Sequence, residues 1–127
     1  MSYLTDRKRV AGLGVAKNGV EHWVSQRMTA VALIPLSLLF IFPFMGALGS
    51  GYDAVIATYT HPGNALVALM FFTVLFRHHR LGLQVVIEDY IHNHRRQVQL
   101  LILNTLVWRA AGFTALFAIA KIAFTAT

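Results

Sequence analysis

Residues 28–52 form an unbroken run of 25 positions without Asp, Glu, Lys or Arg, and this run constrains everything else the chain can be. About 20 such residues are enough for a helix across a hydrocarbon layer roughly 30 Å thick, so a membrane span is expected over residues 28–48. Pro35 and Pro43 within it would kink or fray a helix in water but are tolerated in a membrane. The composition agrees, with 57% hydrophobic and only 13% charged residues in a chain of 127; a soluble domain carries about 25% charged residues. Eleven Lys or Arg against five Asp or Glu give a net charge of +6, which alone would suit a nucleic-acid binder. Five of the eleven precede residue 28, however, and the others flank apolar stretches, so the charge reads as membrane topology. With no cysteine, the chain forms neither a disulfide nor a cysteine-ligated iron–sulfur cluster. A redox role would need an iron ligand of another type.

Residues 1–27 carry Arg7, Lys8, Arg9, Lys17 and Arg27 and lack the apolar core and cleavage site of a secretory signal, so they read as a retained cytoplasmic arm. Gly49, Ser50 and Gly51 end the first span. The connection 49–63 contains no Lys or Arg, which marks it as external, and its apolar stretch 54–59 suits the membrane interface. After His61, Pro62 and Gly63 only 13 uncharged residues, 64–76, precede Arg77. At about 1.5 Å per residue that is too short to cross, so the helix must run on through His78 and His79 to Tyr90, with polar side chains at mid-membrane depth. His92, His94, Arg95 and Arg96 then mark a return to the positive side, and a third span is expected over 97–120. The expectation is one all-α, integral membrane domain of three transmembrane helices (28–48, 64–90, 97–120), N-terminus cytoplasmic and C-terminus external. Three helices enclose little, and Ala111, Ala115 and Ala118 at helical spacing would let a neighbouring helix approach closely. Both features favour a subunit of a larger assembly.

Ionisable residues within a bilayer are expensive and by default face a partner, a cofactor or a bundle interior. With 100° per residue, Gly82, Val85 and Asp89 lie within about 40° of His78, on one face of the second helix. Gly82 removes a side chain where a flat macrocycle or a second helix would approach. His78 is a candidate axial ligand through its imidazole lone pair, and on spacing alone a hydrogen-bonded interhelical contact or proton relay stands beside that reading. His79 points about 100° away and suits a helix interface. His22, His61, His92 and His94 fall in or near expected loops. Asp89 and Tyr90 lie roughly 18 Å beyond His78 along the helix, near the cytoplasmic boundary, where a phenol beside a carboxylate suits either a quinone carbonyl or an interfacial belt. Arg27 is placed to snorkel or to fork a cofactor carboxylate. Arg109, central in the third span, calls for a partner outside the chain.

The sequence resembles the smaller hydrophobic membrane-anchor subunit of succinate dehydrogenase, respiratory complex II, over nearly its whole length. The resemblance is carried by Asn18-Gly19-Val20-Glu21-His22-Trp23 leading into Gln26-Arg27-Met28-Thr29-Ala30, and by His78-x3-Gly82-x6-Asp89-Tyr90. It implies that His78 is one axial ligand of a haem b shared with the larger cytochrome b anchor, and that Arg27 approaches a haem propionate. It implies that Tyr90 hydrogen-bonds ubiquinone with Asp89 beside it. It further implies a flavoprotein and an iron–sulfur subunit as partners, a bacterial plasma-membrane location, and no succinate site in this chain. A fumarate reductase anchor is the alternative within the same chemistry. A small proton- or ion-conducting subunit using His78, His79, Asp89 and Arg109 is the alternative outside it.

Overall fold

The computed structural model describes residues 16–125, with side chains from Gly19 to Phe124; Arg7, Lys8 and Arg9 of the basic arm lie outside the described residues, as does the side chain of Lys17. Four α-helices follow one another: α1 (Ala16–Ala47), α2 (Tyr52–Thr60), α3 (Pro62–Tyr90) and α4 (His94–Thr125). Three stretches are long and apolar enough to cross a membrane, Gly19–Ala47, Pro62–Tyr90 and His94–Phe124. The all-α membrane architecture expected from the sequence is therefore what the chain forms.

Helix α1 begins well before the membrane boundary that the charges suggest, so His22 and Arg27 ride on the same rod as the apolar span. Pro35 and Pro43 each delete one backbone bond without ending it. It ends at two glycines in the left-handed region, Gly49 at φ 80° and Gly51 at φ 88°, where a Cβ would be strained. The stretch expected at the interface is the short helix α2. Pro62 starts α3 at its first turn, where its missing N–H is no loss, and Asn64 Nδ2 donates to the Thr58 carbonyl at 3.0 Å, taking up one orphan acceptor at the end of α2. Asn93 opens α4, its Oδ1 accepting from Arg96 N–H at 3.1 Å. Within the helices, Thr58, Thr60, Thr73 and Thr114 donate their hydroxyls to carbonyls one turn back, which hides these protons from an apolar surround.

Helix α3 packs against both α1 and α4, whereas the α1 and α4 backbones do not lie side by side among the described residues. The three long helices thus form a row with α3 in the middle, and α2 touches all three at one end. The core lies there: Tyr59, Ala65, Ala68 and Ile119 are buried, with Phe40, Leu69 and Phe72 packed against them. Ala65 and Ala68 leave the room that lets neighbouring backbones come close. Burial pushes the pKa of the Tyr59 phenol up, and its hydroxyl is buried without a hydrogen-bond partner. From this end an aromatic ladder runs along α3: Phe40 stacks on Phe71 at 4.5 Å, Phe72 on Phe76 at 5.9 Å, and Phe76 meets Trp108 at 6.0 Å. Much of the remaining apolar surface faces outward, including Phe42, Phe113 and Phe117, as lipid or partner helices require.

Candidate functional site

Away from the α2 end, α1 and α3 line an open cleft of about 870 Å³, a size within the range of small-molecule and cofactor sites. Its α1 wall is made by His22, Trp23, Gln26 and Arg27, and its α3 wall by His78, Gly82, Val85 and Glu88. Both walls follow from the helical repeat. His22 and Gln26 are one turn apart on α1, and His78, Gly82 and Val85 recur at four and three residues on α3. The two stripes meet where Gln26 lies over Gly82: a Cβ at position 82 would come within 3.3 Å of Gln26 Nε2, so a larger residue would make the Gln26 amide shift. Gly82 thus admits a side chain of the neighbouring helix.

His78 is fixed by α1 rather than left free. Its Nδ1 lies 3.0 Å from the hydroxyl of the buried Thr29, which is also within hydrogen-bond reach of the Ser25 and Gln26 carbonyls. Arg27 stays at the cleft with its guanidinium 5.4 Å from the Trp23 ring centroid, a cation–π contact that orients it. Two polar atoms of this wall, His22 Nε2 and Gln26 Oε1, are buried without a partner. Such atoms are costly in a finished structure and mark a place where a further group is expected. Among the described residues no three His, Asp or Glu side chains converge as a metal-ion site. His78 is instead one of two imidazoles that line the cleft, with His22 on the α1 wall.

His79 faces the other way. Its Nδ1 donates to the Leu75 carbonyl at 2.9 Å and its ring packs 5.1 Å from Trp108 of α4. The α3–α4 seam holds a second polar contact, in which buried Asn104 donates from Nδ2 to the Arg80 carbonyl at 3.0 Å. Arg109 lines a groove with Arg77, Arg80 and Phe113 on this side, away from the cleft. Asp89 and Tyr90 end α3 and are exposed, Tyr90 by 75%, and neither lines the cleft. The nearby carboxylate that does is Glu88, whose Oε1 accepts from Gln84 Nε2 at 2.8 Å.

The cleft therefore has both His78 and Arg27 in its lining and does not include Tyr90 or Asp89. Sequence reasoning assigned no role to Gln26, Thr29 or Asn104 and placed His22 in or near a loop; the structure puts His22 well inside α1. The four-residue step from His22 to Gln26 is the signal that would have found the α1 wall, once the helix is extended upstream of residue 28.

Residues 1–122 match the family described as Succinate dehydrogenase/Fumarate reductase transmembrane subunit. The chain is 30% identical over 121 residues to the succinate dehydrogenase hydrophobic membrane anchor subunit of Paracoccus denitrificans, covering 95% of this chain and 93% of that one. It is 33% identical over 109 residues to the subunit of the same name in Rickettsia bellii, covering 86% and 82%. The succinate dehydrogenase membrane anchor subunit of Reclinomonas americana is 28% identical over 85 residues, 65% of this chain and 71% of that one. No solved structure gives a significant match. The matching family covers nearly all of the chain, and the chain belongs to it as a hydrophobic membrane anchor of succinate dehydrogenase.

Proposed function

We propose that this anchor serves a succinate:ubiquinone oxidoreductase by holding one side of a haem b and contributing to the ubiquinone site. The observation that carries the reading is the placement of His78 on the wall of an 870 Å³ cleft, tethered at Nδ1 by Thr29 and sharing that wall with Arg27. The residues present fit the group. An imidazole held at one nitrogen can offer the other as a ligand, and the guanidinium of Arg27 can pair with a propionate through a fork of donors. The unpartnered His22 Nε2 and Gln26 Oε1 supply further polar atoms along the same wall. Bound there, haem b would supply a one-electron redox centre.

The chain's own residues orient and exclude. Trp23 and Ala30 give the cleft an apolar lining, and Gly82 leaves space for the Gln26 side chain opposite. The open side of the cleft would be closed by the larger cytochrome b anchor. At the end of α3 the exposed Tyr90 hydroxyl is available as a donor to a quinone carbonyl, with Asp89 next to it to accept or relay a proton. Completion of that pocket falls to the iron–sulfur subunit and the larger anchor. Succinate oxidation would take place on the flavoprotein. The curated relatives above are named for succinate dehydrogenase, which favours the succinate-oxidising direction.

Purifying the chain with its membrane and soluble partners tests the proposal. The complex is expected to show a reduced-minus-oxidised b-type spectrum and succinate-dependent ubiquinone reduction. A complete complex with neither would sink it. The placement of Lys and Arg also predicts a cytoplasmic N-terminus and an external C-terminus. A reporter fused after Thr127 should be active only outside the cytoplasm, and cytoplasmic activity would reverse that orientation.

A further inference from the structure

The Thr29 hydroxyl has three possible partners and one proton. It lies 3.0 Å from the Ser25 carbonyl, 2.9 Å from the Gln26 carbonyl and 3.0 Å from His78 Nδ1. The two carbonyls only accept, and both stand at the positions to which a helical threonine ordinarily donates. With the proton directed to them, the Thr29 oxygen is left as an acceptor, and the atom facing it must be an Nδ1–H. A neutral imidazole protonated at Nδ1 carries its lone pair on Nε2. The residue is 8% exposed, so water does not compete readily for the bond.

We infer that Thr29 is a positioning residue that fixes the His78 imidazole in its Nδ1–H tautomer and ring orientation, with Nε2 presented as the ligand atom. The inference rests on the proposal that His78 ligates haem. Two further features make the device effective. The contact joins α1 to α3 across 49 residues of sequence, so it sets the ring against a separate helix and not merely against its own. The neighbouring Gln26 side chain lies over Gly82, so α1 and α3 also meet beside this contact. A hydrogen bond from Nδ1–H to an oxygen also makes the opposite nitrogen a stronger donor to iron, favouring the ferric state.

The test uses the complete complex with Thr29→Val, which removes the hydroxyl at nearly unchanged shape, Thr29→Ala, which removes it without risk of overpacking, and Thr29→Ser, which keeps it. In assembled Thr29→Val or Thr29→Ala complex, haem transfer to apomyoglobin is expected to be about tenfold faster than in the parent. The haem midpoint potential is expected to move upward, a change that a purely structural hydroxyl would not produce. Thr29→Ser should restore both. Parent-like transfer and potential in an assembled hydroxyl-free variant would overturn the inference. So would failure of both hydroxyl-free variants to assemble while Thr29→Ser assembles normally, because the hydroxyl would then be a structural tie. His78→Ala in the same background separates this from the underlying reading. If that variant keeps the parent spectrum, ligation itself falls; if it loses the spectrum while Thr29→Val behaves as the parent, only the role of Thr29 falls.

Discussion

Replacing His78 by Ala is expected to abolish most of the low-spin b-type absorbance of the assembled complex, whereas replacing His79 should leave it. The two histidines are adjacent in sequence, chemically identical and on one helix, so the pair is its own control. What separates them is direction: successive residues diverge by about 100°, which sends His78 to the α1 cleft and His79 to Trp108 of α4. His79→Ala would forfeit an aromatic contact worth about 1 kcal/mol and lower the stability of the α3–α4 seam, with the haem spectrum intact. Absorbance spectra of both variants, normalised to assembled complex, decide the matter. Equal and undiminished spectra would withdraw ligation from the account of this chain.

Tyr90→Phe should lower succinate-dependent quinone reduction by about tenfold, the effect of losing a neutral hydrogen bond of roughly 1.4 kcal/mol in the reacting complex. The substitution keeps the ring and removes only the hydroxyl, and at 75% exposure in this chain Tyr90 contributes little to the chain's own packing. Haem content and partner association are therefore expected to persist. Succinate oxidation with an artificial acceptor that takes electrons before the membrane should be nearly unchanged, since that chemistry would lie on other chains. Unaltered quinone turnover in a complete Tyr90→Phe complex would return the residue to an interfacial anchoring role.

The membrane architecture was readable because it depends on composition over long windows, which the uncharged run 28–52 and the placement of Lys and Arg supply. The opposed directions of His78 and His79 were readable too, since they depend only on the helical period. The start of α1 was not, because positive charge marks where a segment leaves the lipid and not where its backbone hydrogen bonds stop. The partnership of Thr29 with His78 depends on the register of α1 against α3, and no local pattern in either segment encodes it. Asn104 was hidden for the same reason, because its acceptor is a backbone carbonyl on another helix. Tyr59 illustrates a third limit: its burial depends on Ala65, Ala68 and Ile119 of other helices, which the short apolar stretch around it does not encode.

The row arrangement gives α1 the mechanics of a cantilever. It is clamped near Phe40 and Ala47, where α2 and the stacked phenylalanines grip it, and among the described residues the α4 backbone does not come alongside it. His22 stands 18 residues from Phe40, an arm of about 27 Å at the helical rise. A small change of tilt at the clamp therefore becomes a larger displacement at the far tip, where Gln26 and Thr29 are the local stops against α3. The width of the cleft therefore depends on the contacts of Gln26 and Thr29 with α3 as well as on how the rings around Phe40 stack.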